Sequence, residues 1–174
     1  MATSIRDAAP ADLTAITAIY AHAVHHGTAS FELSPPDEAE MARRREVLIA
    51  GGYPYIVALR DDRIAGYAYA SAYRPRPAYR FTVEDSVYVD PAFQGQGVGR
   101  ALLTALIEIC EARGFRRMIA VIGDTQSHGS IALHRALGFA HIGTIPALGY
   151  KHDAWRDTVL MHRPLSEGDT TPPA

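Results

Sequence analysis

The chain has 174 residues, 48% of them hydrophobic, which suits one globular domain with a sizeable core. Its 17 basic side chains nearly balance its 19 acidic ones. That balance lacks the basic excess of a protein whose main partner is nucleic acid, so we expect no nucleic-acid function.

The sequence carries no sign of export or of membrane insertion. Its first residues lack a basic segment followed by an apolar one, and no stretch reaches the roughly 18 apolar residues that a membrane span needs. The one cysteine, Cys110, cannot form an internal disulfide and fits a reducing compartment. We therefore expect a cytoplasmic protein without a membrane partner.

The first half of the chain predicts two helices and a strand hairpin. Apolar residues recur at helical spacing between Pro10, which favours a helix start, and Gly27, which favours its end. The predicted elements are a strand near residues 4–6, helices over 10–27 and 37–51, and hairpin strands over 55–59 and 64–70.

The second half alternates strands with helices. Apolar positions over residues 98–110 fit the helical template throughout, which makes this the clearest helix. The predicted elements are a strand over 82–90, this helix, a buried strand over 118–122, a short helix through 131–137, and strands around 141–143 and 158–161. We expect one domain over residues 1–165 and a polar, proline-rich, disordered tail over 166–174.

Three glycines at alternating positions lie between the strand over 82–90 and the helix over 98–110. Gly95, Gly97 and Gly99 let backbone N–H groups turn toward a ligand without interference from a Cβ atom. The start of the helix adds unpaired amides and the positive end of its dipole, and Arg100 adds a formal charge. The segment predicts a phosphate or pyrophosphate site; the alternative is a glycine-rich turn without a ligand.

Three kinds of phosphate-binding segment compete for this pattern. A P-loop requires Gly-Lys-Ser/Thr, and no lysine follows the glycines. A dinucleotide-binding turn requires G-x-G-x-x-G and a later acidic residue for the ribose, and neither is present. The third pattern, Q/R-x-x-G-x-G/A, belongs to acetyl-CoA-dependent acetyltransferases, and Gln94-Gly95-Gln96-Gly97-Val98-Gly99 matches it at every fixed position.

With this loop the chain resembles the GNAT superfamily, and within it the phosphinothricin N-acetyltransferase-like branch. Six motifs carry the resemblance along nearly the whole chain: IRDA (5–8), TVEDSVYV (82–89), the glycine loop, AVIG (120–123), LHRALGF (133–139) and GYKHDAWRD (149–157). The resemblance implies an α/β fold with a mixed, mostly antiparallel central sheet flanked by helices. It also implies acetyl-CoA as the cofactor.

The resemblance implies which residues hold acetyl-CoA. The backbone of Val87, Tyr88 and Val89 pairs with the pantetheine arm like an added strand, and this strand carries a bulge in the family. One backbone N–H of the strand is the expected donor to the oxyanion. The loop contributes Gln94, Gly95, Gln96, Gly97, Val98, Gly99 and Arg100, and Ser127 stands where many relatives have an asparagine that bonds the pantetheine.

Glu84 is the candidate general base. Strict alternation places Glu84, Ser86 and Tyr88 on one face of the strand and Val83, Val87 and Val89 on the other. A glutamate here can take a proton from the acceptor's ammonium group directly or through a water, and the resemblance implies the same role. The alternative is a solvated carboxylate at a strand edge.

His134 is the second candidate for a chemical role. Much of the superfamily has a tyrosine at this helix position, which protonates the departing thiolate. This branch has a histidine, whose imidazole can do the same near neutral pH. The alternative is a packed or surface histidine on a short helix.

For the acceptor, the resemblance implies a pocket upstream of Glu84. Arg74 and Arg76 flank Pro75 in a loop, where a guanidinium can hold a carboxylate bidentately. The implied acceptor-binding residues are Phe31, Arg74, Pro75, Arg76, Thr82, Val83 and Glu84. The segment from Lys151 to Trp155 is a further candidate across a dimer interface, so a homodimer is an open alternative to a monomer.

The expected function is direct transfer of acetyl from acetyl-CoA to the amine of a small amino-acid-like molecule. The branch implies phosphinothricin, methionine sulfoximine or methionine sulfone as the acceptor. Two alternatives stay open: acetylation of a protein N-terminus or another metabolite amine, and a domain that senses acyl-CoA without catalysis. We expect no metal site, because no cysteine or acidic residue lies near His22, His25 and His26 to complete one.

Overall fold

The computed structural model describes residues 3–173. The strands are β1 (Ser4–Asp7), β2 (Tyr55–Arg60), β3 (Arg63–Ala72), β4 (Thr82–Val89), β5 (Arg117–Gly123), β6 (Ala140–Lys151) and β7 (Ala154–Pro164). The helices are α1 (Leu13–His26), α2 (Glu38–Ala50), α3 (Val98–Ala112) and α4 (His128–Ala136). Within the described range, no helix is both long and apolar enough to cross a membrane.

The strands form one sheet in the order β1-β2-β3-β4-β5-β7-β6. Neighbouring strands run antiparallel except for β4 and β5, which run parallel. That pairing joins residues 82–84 of β4 to residues 117–119 of β5 and then stops. The predicted mixed, mostly antiparallel sheet flanked by helices is confirmed, and the sheet splits where β4 leaves β5.

Helices cover both faces of the sheet. On one face, Leu102 and Leu106 of α3 are fully buried, as their helical spacing predicts. Burial of a leucine side chain contributes about 1.5–3 kcal/mol, so this stripe fixes α3 on the sheet. On the other face, Ile16 of α1 packs in a second cluster with Tyr67 of β3. β4 contributes to both clusters, because its successive side chains alternate between the faces.

Strands β6 and β7 are longer than predicted and form a hairpin at one edge of the sheet. The predicted strands around 141–143 and 158–161 are parts of strands that span 140–151 and 154–164. The hairpin carries large apolar side chains that stay exposed, namely Ile142, Ile145, Leu148, Tyr150 and Trp155. Apolar alternation could not delimit these strands, since much of the hairpin is uncovered by other elements.

Residues 166–173 lie against the start of β5. The guanidinium of Arg116 donates to the backbone oxygen of Gly168, to the hydroxyl of Thr171 and to the backbone oxygen of Pro172. The backbone N–H of Gly168 donates to Leu165 and closes a turn. The disorder predicted for the tail stays a prediction beside these contacts.

Candidate active site

The predicted phosphate-binding segment connects β4 to α3. Pro91 opens a short 3-10 turn after β4, and Gly97 immediately precedes α3. Gly95 and Gly97 have φ angles of 72° and 85°, in the left-handed region that strains other residues. A Cβ atom added at either glycine meets no heavy atom within 4 Å, so backbone conformation, and not crowding, requires glycine here.

Arg60, at the end of β2, braces this loop. Its guanidinium donates to the backbone oxygen of Gln96 at 3.1 Å and to the Gln96 side-chain oxygen at 2.9 Å. The Gln96 amide in turn donates to the backbone oxygen of Ala92 at 2.9 Å. The bonds of Gln96 therefore hold the shape of the loop. The loop glycines Gly95, Gly97 and Gly99 line the neighbouring cavity.

A cavity of about 1120 Å³ lies between the glycine loop and the split in the sheet. The predicted residues that line it are Phe31, Glu84, Val87, Tyr88, Val89, Gln94, Gly95, Gly97, Val98, Gly99, Arg100, Ser127 and His134. Among the described residues, six predicted site residues do not line this cavity: Arg74, Pro75, Arg76, Thr82, Val83 and Gln96. The cavity thus brings the predicted base together with all the predicted cofactor residues except Gln96, whereas most of the predicted acceptor residues lie outside it.

β4 is regular toward β3 and open toward β5. Its register with β3 runs without a shift from Val83 opposite Ala72 to Val89 opposite Gly66. The bulge expected in this strand does not appear in that pairing, so simple alternation holds along the whole of β4. In the part of the chain that the structure describes, β4 does not pair with β5 after Glu84. The free backbone edge of β4 over residues 87–89 lies along the cavity.

Glu84 lies at the point where the sheet splits. It is the last β4 residue paired with β5, opposite Ile119, and its half-buried side chain lines the cavity. Burial and the nearby charge of Asp85 raise the pKa of Glu84, against the opposing effect of Arg74. A carboxylate with raised proton affinity is suited to accept a proton near neutral pH.

His134, on α4, lies deep in the cavity wall. Its Nδ1 donates to the backbone oxygen of Ser130 at 2.7 Å, and its Nε2 lies 3.0 Å from Oδ2 of Asp85. Its ring contacts Phe139 edge-on, with ring centroids 4.9 Å apart. Burial alone would lower the pKa of His134, but the hydrogen bond and charge of Asp85 raise it above its usual value. Both ring nitrogens are therefore bonded within the protein.

Asp85 is a residue of the site that was not predicted from the sequence. Its side chain is 3% exposed and lies on the same face of β4 as Val83 and Val87. The signal was present, because alternation places a carboxylate on an otherwise apolar strand face. An ionised group in such a place needs a partner, and the structure supplies His134.

Ser127, at the place of the family's asparagine, is bonded to the neighbouring strand. Its hydroxyl donates to the backbone oxygen of Gly123 at 2.6 Å and lies 3.5 Å from the hydroxyl of Thr28. The predicted contact between Ser127 and pantetheine stays a prediction, since the hydroxyl proton is already engaged.

Residues after α1 form another wall of the cavity. Phe31 lies against Gly149 of β6, where a Cβ atom would come within 2.5 Å of the phenyl ring. The buried Lys151 donates from Nζ to the backbone oxygen of Ser30 at 2.6 Å, and burial lowers the pKa of Lys151. The segment that carries Phe31 is thus fastened to the β6–β7 hairpin.

The other predicted acceptor residues lie outside this cavity. Arg74, Pro75 and Arg76 are exposed in the connection between β3 and β4, and the guanidinium of Arg74 lies 5.2 Å from the ring centre of Tyr73. Val83 is fully buried on the α3 side of the sheet, so its backbone alone is available to a ligand on the Glu84 side.

The three histidines predicted at helical spacing, His22, His25 and His26, lie close together on α1. The rings of His22 and His26 are 4.6 Å apart between centroids. In residues 3–173, no three His, Cys, Asp or Glu side chains come together as a group able to hold a metal ion.

Comparison with known proteins shows the family to which this chain belongs. Residues 15–139 match the acetyltransferase (GNAT) family. The chain belongs to the GNAT acetyltransferases. It is similar to phosphinothricin N-acetyltransferase of Alcaligenes faecalis, with 54% identity over 172 residues that cover 99% of this chain and 87% of the relative.

A second relative and a solved structure agree. This GNAT acetyltransferase is 40% identical to L-methionine sulfoximine/L-methionine sulfone acetyltransferase of Pseudomonas aeruginosa. The alignment of 173 residues covers 99% of this chain and 100% of the relative. The crystal structure of a phosphinothricin acetyltransferase from Sinorhizobium meliloti in complex with acetyl-CoA matches it with a TM-score of 0.97. The two are 52% identical, and the match covers 100% of this chain and 94% of that one.

The residues of this GNAT acetyltransferase fit acetyl-CoA, the cofactor of its family. The left-handed Gly95 and Gly97 and the start of α3 suit a pyrophosphate. The open edge of β4 suits an extended arm that pairs with it like a strand. The predicted family and cofactor are therefore confirmed.

Proposed function

We propose that this GNAT acetyltransferase transfers the acetyl group of acetyl-CoA to the amine of a small amino-acid-like molecule. The observation that carries the proposal is Glu84, a half-buried carboxylate at the split of the sheet, in the same cavity as the glycine loop. The activities named for its relatives support phosphinothricin, methionine sulfoximine and methionine sulfone as acceptors.

In the proposed reaction, Glu84 takes a proton from the acceptor's ammonium group and frees the nitrogen lone pair. That nitrogen attacks the acetyl carbonyl of the thioester directly, so that the N–C bond forms and the C–S bond breaks. The nitrogen loses its second proton to solvent as the amide forms, and the departing thiolate takes up a proton. A backbone N–H on the open edge of β4 donates to the carbonyl oxygen as it becomes negative. The glycine loop holds the pyrophosphate and so fixes the thioester against Glu84.

Two groups are candidates for the donor of the thiolate's proton. His134 is the donor that the family resemblance predicts, and it lines the cavity. Its ring nitrogens, however, are engaged by Ser130 and Asp85. Water in the open cavity is the alternative donor.

We propose that the acceptor's carboxylate binds the exposed Arg74 and Arg76, on either side of Pro75. The charge of Arg74 acts on Glu84, since it opposes the rise in the Glu84 pKa. A carboxylate near Arg74 would therefore place the amine of the same molecule toward the base. Phe31 and Thr82, with the backbone of Val83, complete the proposed acceptor pocket.

We further propose a cytoplasmic homodimer whose interface includes the β6–β7 hairpin. Its exposed apolar side chains support this. Among them the rings of Tyr150 and Trp155 contact each other, with centroids 5.4 Å apart, and contiguous apolar patches mark interaction surfaces. β6 is also the last strand of the sheet, and an uncovered edge favours pairing with another chain. The buried, unpaired Cys110 fits a reducing compartment. Light scattering in solution tests the dimer.

Turnover tests the proposed function. We expect methionine sulfoximine, methionine sulfone and phosphinothricin to release free CoA thiol from acetyl-CoA far faster than peptides with a free N-terminus. Faster turnover of peptides would refute the acceptor assignment. Substitution Glu84→Gln should lower kcat about 10²-fold or more, because the amide cannot take the proton, and should leave acetyl-CoA affinity unchanged. Glu108→Gln, at an exposed position of α3, is the matched control. A protein that binds acetyl-CoA but turns over no amine would be a sensor.

A further inference from the structure

A buried carboxylate and imidazole face each other across the split in the sheet. Oδ2 of Asp85 lies 3.0 Å from Nε2 of His134, and their side chains are 3% and 5% exposed. Among the described residues, Oδ1 of Asp85 has no hydrogen-bond partner. The neighbouring Cys110 is uncharged, because burial raises the pKa of its thiol to about 12. His134 is therefore the group that compensates the carboxylate.

The hydrogen bonds of His134 fix where its protons are. The backbone oxygen of Ser130 can accept but not donate, so Nδ1 carries a proton. The second proton lies between Nε2 and Asp85, and the pair as a whole is then neutral. Giving this proton to a thiolate would leave an ionised Asp85 buried without compensation, which is strongly unfavourable. The pair therefore retains its proton.

The pair of Asp85 and His134 lies where β4 and β5 separate. β4 and β5 are paired at Glu84 and separate at the next residue, which is Asp85. From there, the side chain of Asp85 bonds α4, which follows β5 in the chain. The bond links β4 to the helix that packs on β5, directly beside the base and the open strand edge. A wider or narrower split there would misplace the thioester.

We propose that Asp85 and His134 form a proton-retaining ion pair that sets the width of the split and so positions Glu84 and the β4 edge. In this inference Asp85 and His134 are positioning residues, and the thiolate takes its proton from water. The inference rests on the proposed transferase function, which it deepens.

Asp85→Asn separates the two roles of His134. The asparagine amide can donate to Nε2 and keep the bond, while His134 loses its second proton. Loss of the Asp85 charge removes one influence that raises the Glu84 pKa, so kcat is compared at a pH where Glu84 is ionised in both proteins. There we expect kcat within about threefold of the wild type, whereas loss of a general acid costs about 10²–10⁴-fold. A fall of about 10²-fold, with acetyl-CoA affinity and thermal stability unchanged, would overturn the proposal.

The second test is rescue. His134→Gln places a neutral amide against the buried carboxylate, and we expect kcat to fall about tenfold because the charge is no longer compensated. The double variant Asp85→Asn/His134→Gln forms a neutral amide pair, and we expect recovery to within about threefold of Asp85→Asn. A double variant as impaired as His134→Gln would identify a chemical role for the imidazole and refute the proposal.

A spectroscopic readout does not depend on turnover. Nitrogen-15 NMR of the histidine rings, with His134 assigned by its loss in His134→Gln, should show both of its nitrogens protonated at pH 7.5. A bare Nε2 at that pH would contradict the pair. If no amine is acetylated while His134 is doubly protonated, the proposed function fails and the ion pair stands. If amines are acetylated but Nε2 is bare, the pair fails and the function stands.

Discussion

The cofactor side and the acceptor side of the cavity are assembled differently. The cofactor side is continuous in the chain, since β4, the glycine loop and α3 follow one another over residues 82–112. The acceptor side combines the segment after α1, the β3–β4 connection and the β6–β7 hairpin, which are far apart in sequence. A continuous segment can reveal its ligand through local spacing alone, whereas a wall built from distant segments cannot. The two sides should accordingly respond to substitution in separable ways.

The largest effect that separates the two sides should come from Gly97→Val, which should weaken acetyl-CoA binding on the cofactor side. A β-branched residue at a φ of 85° costs about 1–3 kcal/mol, and the loop can relieve the strain by turning its amides away from the pyrophosphate. We expect the Kd of acetyl-CoA to rise about 10- to 100-fold, measured by calorimetry, with the acceptor pocket unaffected.

Gly114→Val is the matched control for that substitution. Gly114 has a φ of 83°, nearly the same as Gly97, but lies at the other end of α3. It should lower the melting temperature without changing the Kd. If Gly97→Val leaves the Kd as it is in the wild type, the glycine loop does not bind the pyrophosphate.

Local sequence patterns predicted the elements that form the cofactor side. The apolar stripe of α3, the glycines before it and the alternation of β4 are local patterns with physical causes, and the structure places all three as predicted. The same alternation, together with the family resemblance, made Glu84 the candidate base. What local patterns omitted was the partner of Asp85, because His134 is 49 residues away and meets it through the fold alone.

The acceptor side was predicted mainly from family resemblance. No local pattern places Phe31 against Gly149 or Lys151 against Ser30, since these contacts depend on how the hairpin folds back over the sheet. Val83 shows the weakness of resemblance as a guide. Alternation already placed its side chain on the face opposite Glu84, and that side chain is indeed in the core while Glu84 lines the cavity.

An intermediate effect should come from Arg74→Ala. Loss of a charge-assisted bond to a carboxylate costs about 1.5–3 kcal/mol, so we expect the KM of methionine sulfoximine to rise about tenfold or more. Arg74 also opposes the rise in the Glu84 pKa. Its removal should raise that pKa further, so Glu84 stays protonated to a higher pH. The acidic limb of kcat/KM should shift upward, and activity should fall most below neutral pH.

Arg76→Ala tests whether the rise in KM and the shift of the acidic limb have separate causes. It should raise the same KM but leave the acidic limb in place, because burial, Asp85 and Arg74 are the influences on Glu84. Arg80→Ala, whose guanidinium stacks on Phe81, should change neither quantity. A normal KM in both Arg74→Ala and Arg76→Ala would remove this loop from the acceptor pocket.

The smallest effect should come from Gly149→Ala on the acceptor side. The added methyl group would lie within 2.5 Å of the Phe31 ring, closer than any stable contact, so the ring must move into or away from the cavity. We expect the acceptor KM to rise about three- to tenfold, as for other modest overpacking of about 1 kcal/mol. The Kd of acetyl-CoA should be unchanged, since the glycine loop lies on the other side.

Gly143→Ala on the same strand supplies the comparison, because a Cβ atom there meets nothing within 4 Å. It should behave as the wild type does. Adding Phe31→Leu to Gly149→Ala should remove the clash, and the methyl group should then make little further difference to KM. If Gly149→Ala instead weakens acetyl-CoA binding, the segment after α1 holds the cofactor as much as the acceptor, and the two sides of the cavity are coupled through Phe31.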